Sequence, residues 1–187
     1  MALSENLRDA GINLVDLTMG EDPVMYRDGC ARLINTIQSV RDAVDIGIMV
    51  SPGAVPRSVF PRMEEAGADW YACYQETYNL ELFKRLRLEQ DYQTRIDVRR
   101  WAKEAGMLTE DGMMVGLGES VDDRADFVMR MGPQGCEQIR AMTFVPQEGT
   151  PMKTLNATDS TNELLSIAIM RIMYPDRIIP ATLDVEG

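Results

Sequence analysis

The 187-residue sequence contains no histidine. This absence excludes hydrolases that use a Ser-His-Asp or Cys-His arrangement, and it excludes zinc sites built on imidazole ligands. It also removes the commonest general base near neutral pH. Any chemistry must therefore depend on carboxylates, arginine, lysine, tyrosine, a thiol or a bound cofactor.

Cysteine is almost as scarce, since the chain contains only Cys30, Cys73 and Cys136. Their wide separation fits no zinc or redox motif. A sparse, odd set of cysteines is typical of reduced thiols, which predicts a cytoplasmic protein. Cys73 lies inside a predicted strand, and we expect it to be a small buried apolar side chain rather than a ligand.

Cationic side chains are outnumbered, because 19 Lys and Arg residues stand against 30 Asp and Glu residues, for a net charge of −11. Affinity for phosphate backbones comes mainly from clustered cations. We therefore expect neither nucleic acid nor an anionic membrane surface as a partner. No run of eighteen apolar residues occurs, so the sequence predicts no membrane span.

Short apolar runs alternate with amphipathic stretches along the whole chain. The runs are typical of strands, and the stretches between them, such as 23–43 and 91–105, have the spacing of helices. This alternation predicts βαβ units and a parallel sheet. The six predicted strands are 12–19, 46–50, 69–75, 112–117, 138–145 and 177–183.

Helix boundaries are also visible in the sequence. Ser120 with Asp123, and Ser160 with Glu163, have the spacing of capping boxes at helix N-termini. Four glycines follow helical stretches, where a left-handed residue commonly ends a helix. These glycines are Gly11, Gly67, Gly106 and Gly135.

The predicted fold class is α/β, as a partial (β/α) TIM-type barrel with about six parallel strands. A Rossmann fold is disfavoured because no glycine-rich phosphate fingerprint follows the first strand, and GLGES at 116–120 lacks the required pattern. A closed barrel has eight units in roughly 250 residues. We therefore expect residues 1–187 to form a single incomplete barrel domain that lacks the first and last units.

Polar residues gather where the predicted strands end, which is where parallel α/β proteins place their chemistry. Arg140 lies within an otherwise apolar predicted strand, where burying its charge is costly unless the side chain is paired or functional. An arginine could bind a carboxylate and aspartates could bind ammonium groups, so the pattern suits an amino acid as the ligand. The residues are Asp16, Thr18, Ser51, Glu76, Arg140, Thr182 and Asp184. The alternative is an internal ion pair of Arg140 with Asp16 or Asp184.

Several strings carry a resemblance to a known family. They are DLTMGEDP, SPG, WYACYQET, RLR, MMVGLGE, MTFVPQEGTPM and PATLDVEG. Together they resemble the radical S-adenosylmethionine (SAM) proteins of the biotin synthase group, from about residue 4 to the end. Within that group they most resemble the isomerases that make (3R)-3-methyl-D-ornithine from L-lysine in pyrrolysine biosynthesis.

The resemblance implies a (β/α) barrel, SAM and a 4Fe-4S cluster as cofactors, lysine as the substrate and an electron donor as a partner. It implies that the backbone and acid of Met19-Gly20-Glu21 hold the SAM amino group. It also implies that Ser51 lies near the methionine part of SAM, and that Glu76 and Arg95 contact SAM. Substrate binding would fall to Asp16, Arg140, Thr182 and Asp184.

Three of these SAM assignments have plainer alternatives. Glu21 could cap the following helix, where an acid is favourable. Arg95 could be a surface charge, and Ser51 could simply begin a Ser-Pro-Gly turn.

One departure from the family is large. The family holds its cluster with C-x3-C-x2-C after the first barrel strand, and no such motif occurs here. We therefore expect a fragment, with no cluster ligands of its own and no activity alone. The alternatives are another biotin synthase-like radical SAM enzyme with a different substrate, or a non-catalytic ligand-binding half-barrel.

Overall fold

The structure is a computed structural model that describes residues 2–156 and 159–180. Helices and strands alternate along the chain, as the sequence predicts. Two short 3-10 helices, Pro23–Tyr26 and Arg57–Val59, add to them. The elements are α1 (Ala2–Asp9), β1 (Leu14–Thr18), α2 (Arg27–Ala43), β2 (Gly47–Ser51), α3 (Phe60–Glu65), β3 (Trp70–Ala72), α4 (Leu80–Leu86), α5 (Tyr92–Glu104), β4 (Leu108–Val115), α6 (Val121–Gln134), β5 (Gln138–Thr143) and α7 (Thr161–Met173).

The strands form one sheet of five in the order β1-β2-β3-β4-β5. The neighbours from β1 to β4 pair in parallel, so the predicted α/β class is confirmed. Of the sixth predicted strand, Ile178 makes a single parallel bridge to Gln138. Residues 181–187 lie outside the described part of the chain.

By its internal packing the chain divides into two compact units. The first unit is Met1–Cys73 with Gln93–Glu110, and the second is Tyr74–Tyr92 with Asp111–Gly187. The chain passes from the first unit to the second in the middle of β4. That the whole chain is one domain stays a prediction.

The core of the first unit packs one face of α2 against β2 and its neighbours. Leu33 and Ile37 of α2, at helical spacing, are fully buried with Ile48 of β2. Phe60 meets Tyr71 edge to face, with ring centroids 5.0 Å apart. Tyr71 belongs to β3, whose end contributes to the site described below.

Helix α2 begins later than the predicted stretch 23–43. Its first turn contains Asp28, Gly29 and Cys30 in a left-handed conformation, with φ between 51° and 64°. The carbonyl oxygen of Gly29 accepts a hydrogen bond from Nη1 of Arg62 at 2.5 Å, which is a partner outside the helix.

The capping box predicted at Ser120 is confirmed. Its Oγ accepts from the backbone N–H of Asp123 at 3.1 Å, and Oδ2 of Asp123 accepts from the N–H of Ser120 at 2.8 Å. These bonds satisfy N–H groups that the first turn of α6 would otherwise leave unpaired. The four predicted helix-ending glycines also have positive φ, from 71° to 103°.

The capping box predicted at Ser160 is wrong, because its side chain does not cap α7. Oδ1 of Asp159 accepts from the N–H of Thr161 at 2.9 Å instead. The Glu163 carboxylate accepts from the N–H and Oγ1 of Thr143, at 2.8 and 2.5 Å. The predicted box fails because Glu163 binds β5 and not its own helix terminus.

Among the described residues, no helix is both long and apolar enough to cross a membrane.

Replacing Ser120 with Ala should lower the free energy of unfolding by about 1 kcal/mol, because the first turn of α6 loses its cap. Ser39→Ala is the matched control. Its Oγ donates only to the carbonyl oxygen of Asn35 within α2, a bond that contributes little to a helix. Urea unfolding of both variants measures the difference, and equal losses would contradict the capping role.

Candidate functional site

The adjacent ends of β1 and β2 bring three predicted site residues together in the first unit. The parallel register places Thr18 beside Ser51. Oγ of Ser51 donates to Oδ1 of Asp16 at 2.8 Å, and the N–H of Met19 donates to the carbonyl oxygen of Ser51 at 3.3 Å. Asp16, Thr18 and Gly20 share the exposed face of this segment. The Asp16 carboxylate therefore bears no cost of burial, since the face that carries it is open to solvent.

Glu21 follows in a tight left-handed turn, with φ of 58° at both Gly20 and Glu21. Its Oε1 accepts from Nη1 of Arg95 at 2.6 Å, across 74 residues of chain. The Arg95 side chain is only 4% exposed, so its charge requires an anionic partner in contact. The surface-charge interpretation of Arg95 is therefore wrong. The capping interpretation of Glu21 is also wrong, because Asp22 caps the following 3-10 helix.

The turn Ser51-Pro52-Gly53 is held by two tyrosine hydroxyls. The Tyr26 hydroxyl donates to the carbonyl oxygen of Pro52, and the Tyr71 hydroxyl donates to that of Gly53 at 2.5 Å. Gly53 has φ of 85°, and an added Cβ there would lie 2.7 Å from the Tyr26 oxygen and 2.8 Å from Cδ of Glu21. Only glycine fits this position, since other residues are strained by both the conformation and the contact.

The surroundings of this turn change the pKa of Tyr26. Burial first, and then the negative charge of Glu21, raise the pKa of Tyr26 from 10.0 to about 12. The hydroxyl therefore stays protonated and available as a donor throughout the ordinary pH range.

Cys73, at the end of the same region, is buried as predicted. Burial raises the pKa of its thiol, so the thiolate that metal ligation requires is disfavoured. The guanidinium of Arg99 donates to the carbonyl oxygens of Cys73 at 2.5 Å and Arg95 at 3.1 Å.

The predicted Glu76 lies in the second unit, at the bend after β3. Its φ is 64°, which is rare for a residue with a side chain. Its Oε1 accepts from Nη2 of Arg87 at 2.5 Å, and its side chain is 9% exposed. Arg87 belongs to the RLR string, for which no role was predicted.

Asp111 organises the chain around Glu76. Its carboxylate accepts from the N–H groups of Gln75 and Gly112, each at 2.9 Å, and from the Tyr78 hydroxyl at 2.7 Å. The side-chain amide of Gln75 is fully buried and has no hydrogen-bond partner among the described residues. A polar ligand atom would satisfy this amide.

Arg140 of β5 also lies in the second unit and is half-buried. Its guanidinium carbon lies 6.0 Å from the centroid of the Tyr74 ring, in a cation–π arrangement. Tyr74 lies against Gly112, where an added Cβ would come within 3.0 Å of its ring. Thr182 and Asp184, the remaining predicted substrate residues, lie outside the described residues.

The first unit thus joins Asp16 to Ser51 and Glu21 to Arg95, while Glu76 and Arg140 belong to the second unit. Sequence reasoning missed the residues that hold these groups in place. Arg87 could have been found, because RLR was already part of the resemblance. The others gave no spacing signal, and they are Tyr26, Tyr71, Tyr78 and Asp111.

A comparison with protein families matches residues 1–131 to the radical SAM superfamily. Because this match covers most of the chain, the protein belongs to that superfamily. The predicted family is therefore confirmed.

Comparison with individual proteins shows which members of the superfamily this chain resembles. The chain is 39% identical over 183 residues to the 3-methylornithine synthase of Methanosarcina barkeri, covering 98% of this chain and 52% of that protein. It is 32% identical over 173 residues to the FeFe hydrogenase maturase subunit HydE of Thermotoga maritima, covering 92% of this chain and 49% of that protein. The chain thus spans about half the length of the curated relatives it matches.

A solved structure confirms the fold. The crystal structure of methylornithine synthase (PylB) matches 100% of this chain and 55% of its own, with a TM-score of 0.93 and 39% identity. The strand order described above is therefore that of a partial TIM-type radical SAM barrel.

The superfamily implies SAM and a 4Fe-4S cluster as cofactors. The residues of this chain fit SAM but do not fit the cluster. An iron–sulfur cluster requires cysteine thiolates close together. All three cysteines are buried, and in the described part of the chain no three or more metal-ligating side chains form a metal site. The anchored Glu21 carboxylate and the buried Gln75 amide each suit a polar group of SAM.

Replacing Glu21 with Gln should lower the Tyr26 pKa below about 12, because a negative charge that opposes phenol ionisation is removed. The pKa should remain above 10.0, since burial, the larger cause, persists. Absorbance titration of the tyrosinate, with Tyr26→Phe subtracted, isolates this residue. An unchanged pKa would show that Glu21 does not act on Tyr26.

The same group makes stability depend on pH. Between pH 10 and 12 the unfolded chain loses the Tyr26 proton first, so the free energy of unfolding should fall as pH rises through this window. The Tyr26→Phe variant should lack that part of the fall. Urea unfolding at several pH values measures it, and identical slopes for both proteins would contradict the shift.

Proposed function

We propose that this chain carries SAM-binding and substrate-binding strands of a radical SAM isomerase that converts L-lysine to (3R)-3-methyl-D-ornithine. The observation that carries the proposal is the 39% identity to a 3-methylornithine synthase over 98% of the chain. A likeness in fold alone would not favour this substrate, because unrelated activities share the barrel.

The SAM contacts fall to residues at the strand ends. Glu21, fixed by Arg95, accepts hydrogen bonds from the SAM ammonium group, beside the backbone of Met19 and Gly20. Ser51 lies beside the methionine part of SAM. In the second unit Glu76, fixed by Arg87, accepts from a SAM hydroxyl, since an ionised carboxylate can only accept.

The substrate contacts follow the charges of lysine. The Arg140 guanidinium binds the carboxylate as a fork, and Asp16 accepts from an ammonium group. Thr182 and Asp184 complete the set and lie outside the described residues.

SAM, when bound, supplies the group that abstracts hydrogen from the substrate in this superfamily. This chain's own residues bind and orient the two molecules. The described cysteines do not fit an iron–sulfur cluster, because no three of them lie close together. We therefore expect the chain by itself to turn over no lysine, even with an electron donor.

Replacing Arg140 with Ala should weaken lysine binding about 10- to 100-fold, because the carboxylate loses a charged hydrogen-bond partner. Arg140→Lys should lose less, since it keeps the charge but not the fork. Calorimetric titration with lysine measures both.

Arg130→Ala is the matched control, because this exposed arginine also lies over a tyrosine ring, 5.6 Å from the Tyr78 centroid. It should leave lysine affinity unchanged. Normal lysine binding by Arg140→Ala, or no lysine binding by the unaltered chain, would contradict the assigned substrate and favour another radical SAM activity.

Anaerobic reconstitution with iron and sulfide should leave the chain with far less than one cluster, because its described cysteines form no cluster site. Iron and sulfide analysis measures the content. A full-length methylornithine synthase reconstituted in parallel is the control. A stoichiometric cluster on this chain would contradict the expected inactivity.

A further inference from the structure

The turn Ser51-Pro52-Gly53 is tied to three different elements of the first unit. Oγ of Ser51 donates to Asp16 of β1. The carbonyl oxygens of Pro52 and Gly53 accept from Tyr26, which ends a 3-10 helix, and from Tyr71 of β3. Pro52 has no N–H, so the carbonyl that Tyr26 holds is its only backbone hydrogen-bonding group.

The same turn forms one wall around the Glu21 side chain. An added Cβ at Gly53 would lie 2.8 Å from Cδ of Glu21, so the backbone of the turn already approaches that side chain closely. On another side Arg95 holds Oε1 of Glu21 at 2.6 Å. The Glu21 carboxylate is therefore set by a guanidinium and by a backbone turn together.

We propose that Tyr26 and Tyr71 are positioning residues, whose hydroxyls hold the Ser51-Pro52-Gly53 turn so that Glu21 is preorganised for the SAM ammonium group. This inference rests on the proposed function, in which Glu21 binds that group. A glutamate held in one conformation before binding loses less side-chain entropy on binding, which raises affinity.

The proposed role belongs to the hydroxyls, because both rings already pack in or against the hydrophobic core of the first unit. The Tyr71 ring packs against Phe60 in the core. Phenylalanine at either position would keep the ring and remove only the donor, leaving a carbonyl of the turn without that bond. The turn would then relax towards or away from Glu21.

The test compares Tyr26→Phe and Tyr71→Phe with the matched control Tyr174→Phe. The Tyr174 hydroxyl also donates to a backbone carbonyl, that of Val128 at 2.8 Å, but within the second unit. Glu21→Gln is the reference for loss of the ammonium contact. Equilibrium dialysis of the whole chain measures the Kd for SAM and for 5′-methylthioadenosine, which lacks the amino-acid part.

Tyr26→Phe and Tyr71→Phe should raise the Kd for SAM by roughly 5- to 10-fold, the effect of one neutral hydrogen bond. Their Kd for 5′-methylthioadenosine should not change, because that ligand carries no ammonium group. Tyr174→Phe should leave both constants unchanged. A merely structural role would instead weaken both ligands together.

Four results would count against the proposal. Equal weakening of both ligands, or unchanged SAM affinity in both phenylalanine variants while Glu21→Gln weakens it, overturns the positioning role alone. Unchanged SAM affinity in Glu21→Gln overturns the role proposed for Glu21. No saturable SAM binding by the unaltered chain overturns the proposed function, and the inference fails with it.

Discussion

The ion pair between Arg95 and Glu21 constrains the whole strand-end region of the first unit. A guanidinium that is 4% exposed is stable only with a partner, because an unpaired buried charge costs several kcal/mol. The pair requires α5 to present Arg95 towards the turn after β1. It also requires that turn to be left-handed, which Gly20 and Glu21 both adopt. Gly53 then has to lack a side chain, because Glu21 occupies the space.

In the second unit a similar constraint comes from the carboxylate of Asp111. Asp111 accepts three hydrogen bonds from the segment around the end of β3 and from its own strand. These bonds hold the bend that places Glu76 in a left-handed conformation beside Arg87. In both units, then, a predicted site acid is held by an arginine that lies further along the chain.

The sequence was sufficient to predict the parallel sheet and part of the site, for physical reasons. Apolar periodicity reports strands and helices directly, and parallel strands place their carboxyl ends side by side. Asp16 and Ser51 were therefore expected at the same edge of the sheet, where the structure joins them by a hydrogen bond. The contact of Glu21 with Arg95 could not be predicted, because the position of a strand end does not determine the direction in which a helix presents its arginine side chains. The Ser160 box failed for a related reason, since Glu163 had a tertiary partner that local spacing does not reveal.

The separation of 74 residues between Glu21 and Arg95 makes this ion pair depend on the folding of distant segments. Contacts between distant segments form only after the entropy of closing the intervening loop has been overcome. Two strands and three α-helices lie between the two residues, so the pair can form only after this long segment has brought its two ends together. Until that closure occurs, the Glu21 carboxylate lacks the contact with Arg95 that holds it in place. The anchored glutamate is therefore a product of tertiary folding and not of local structure at the end of β1.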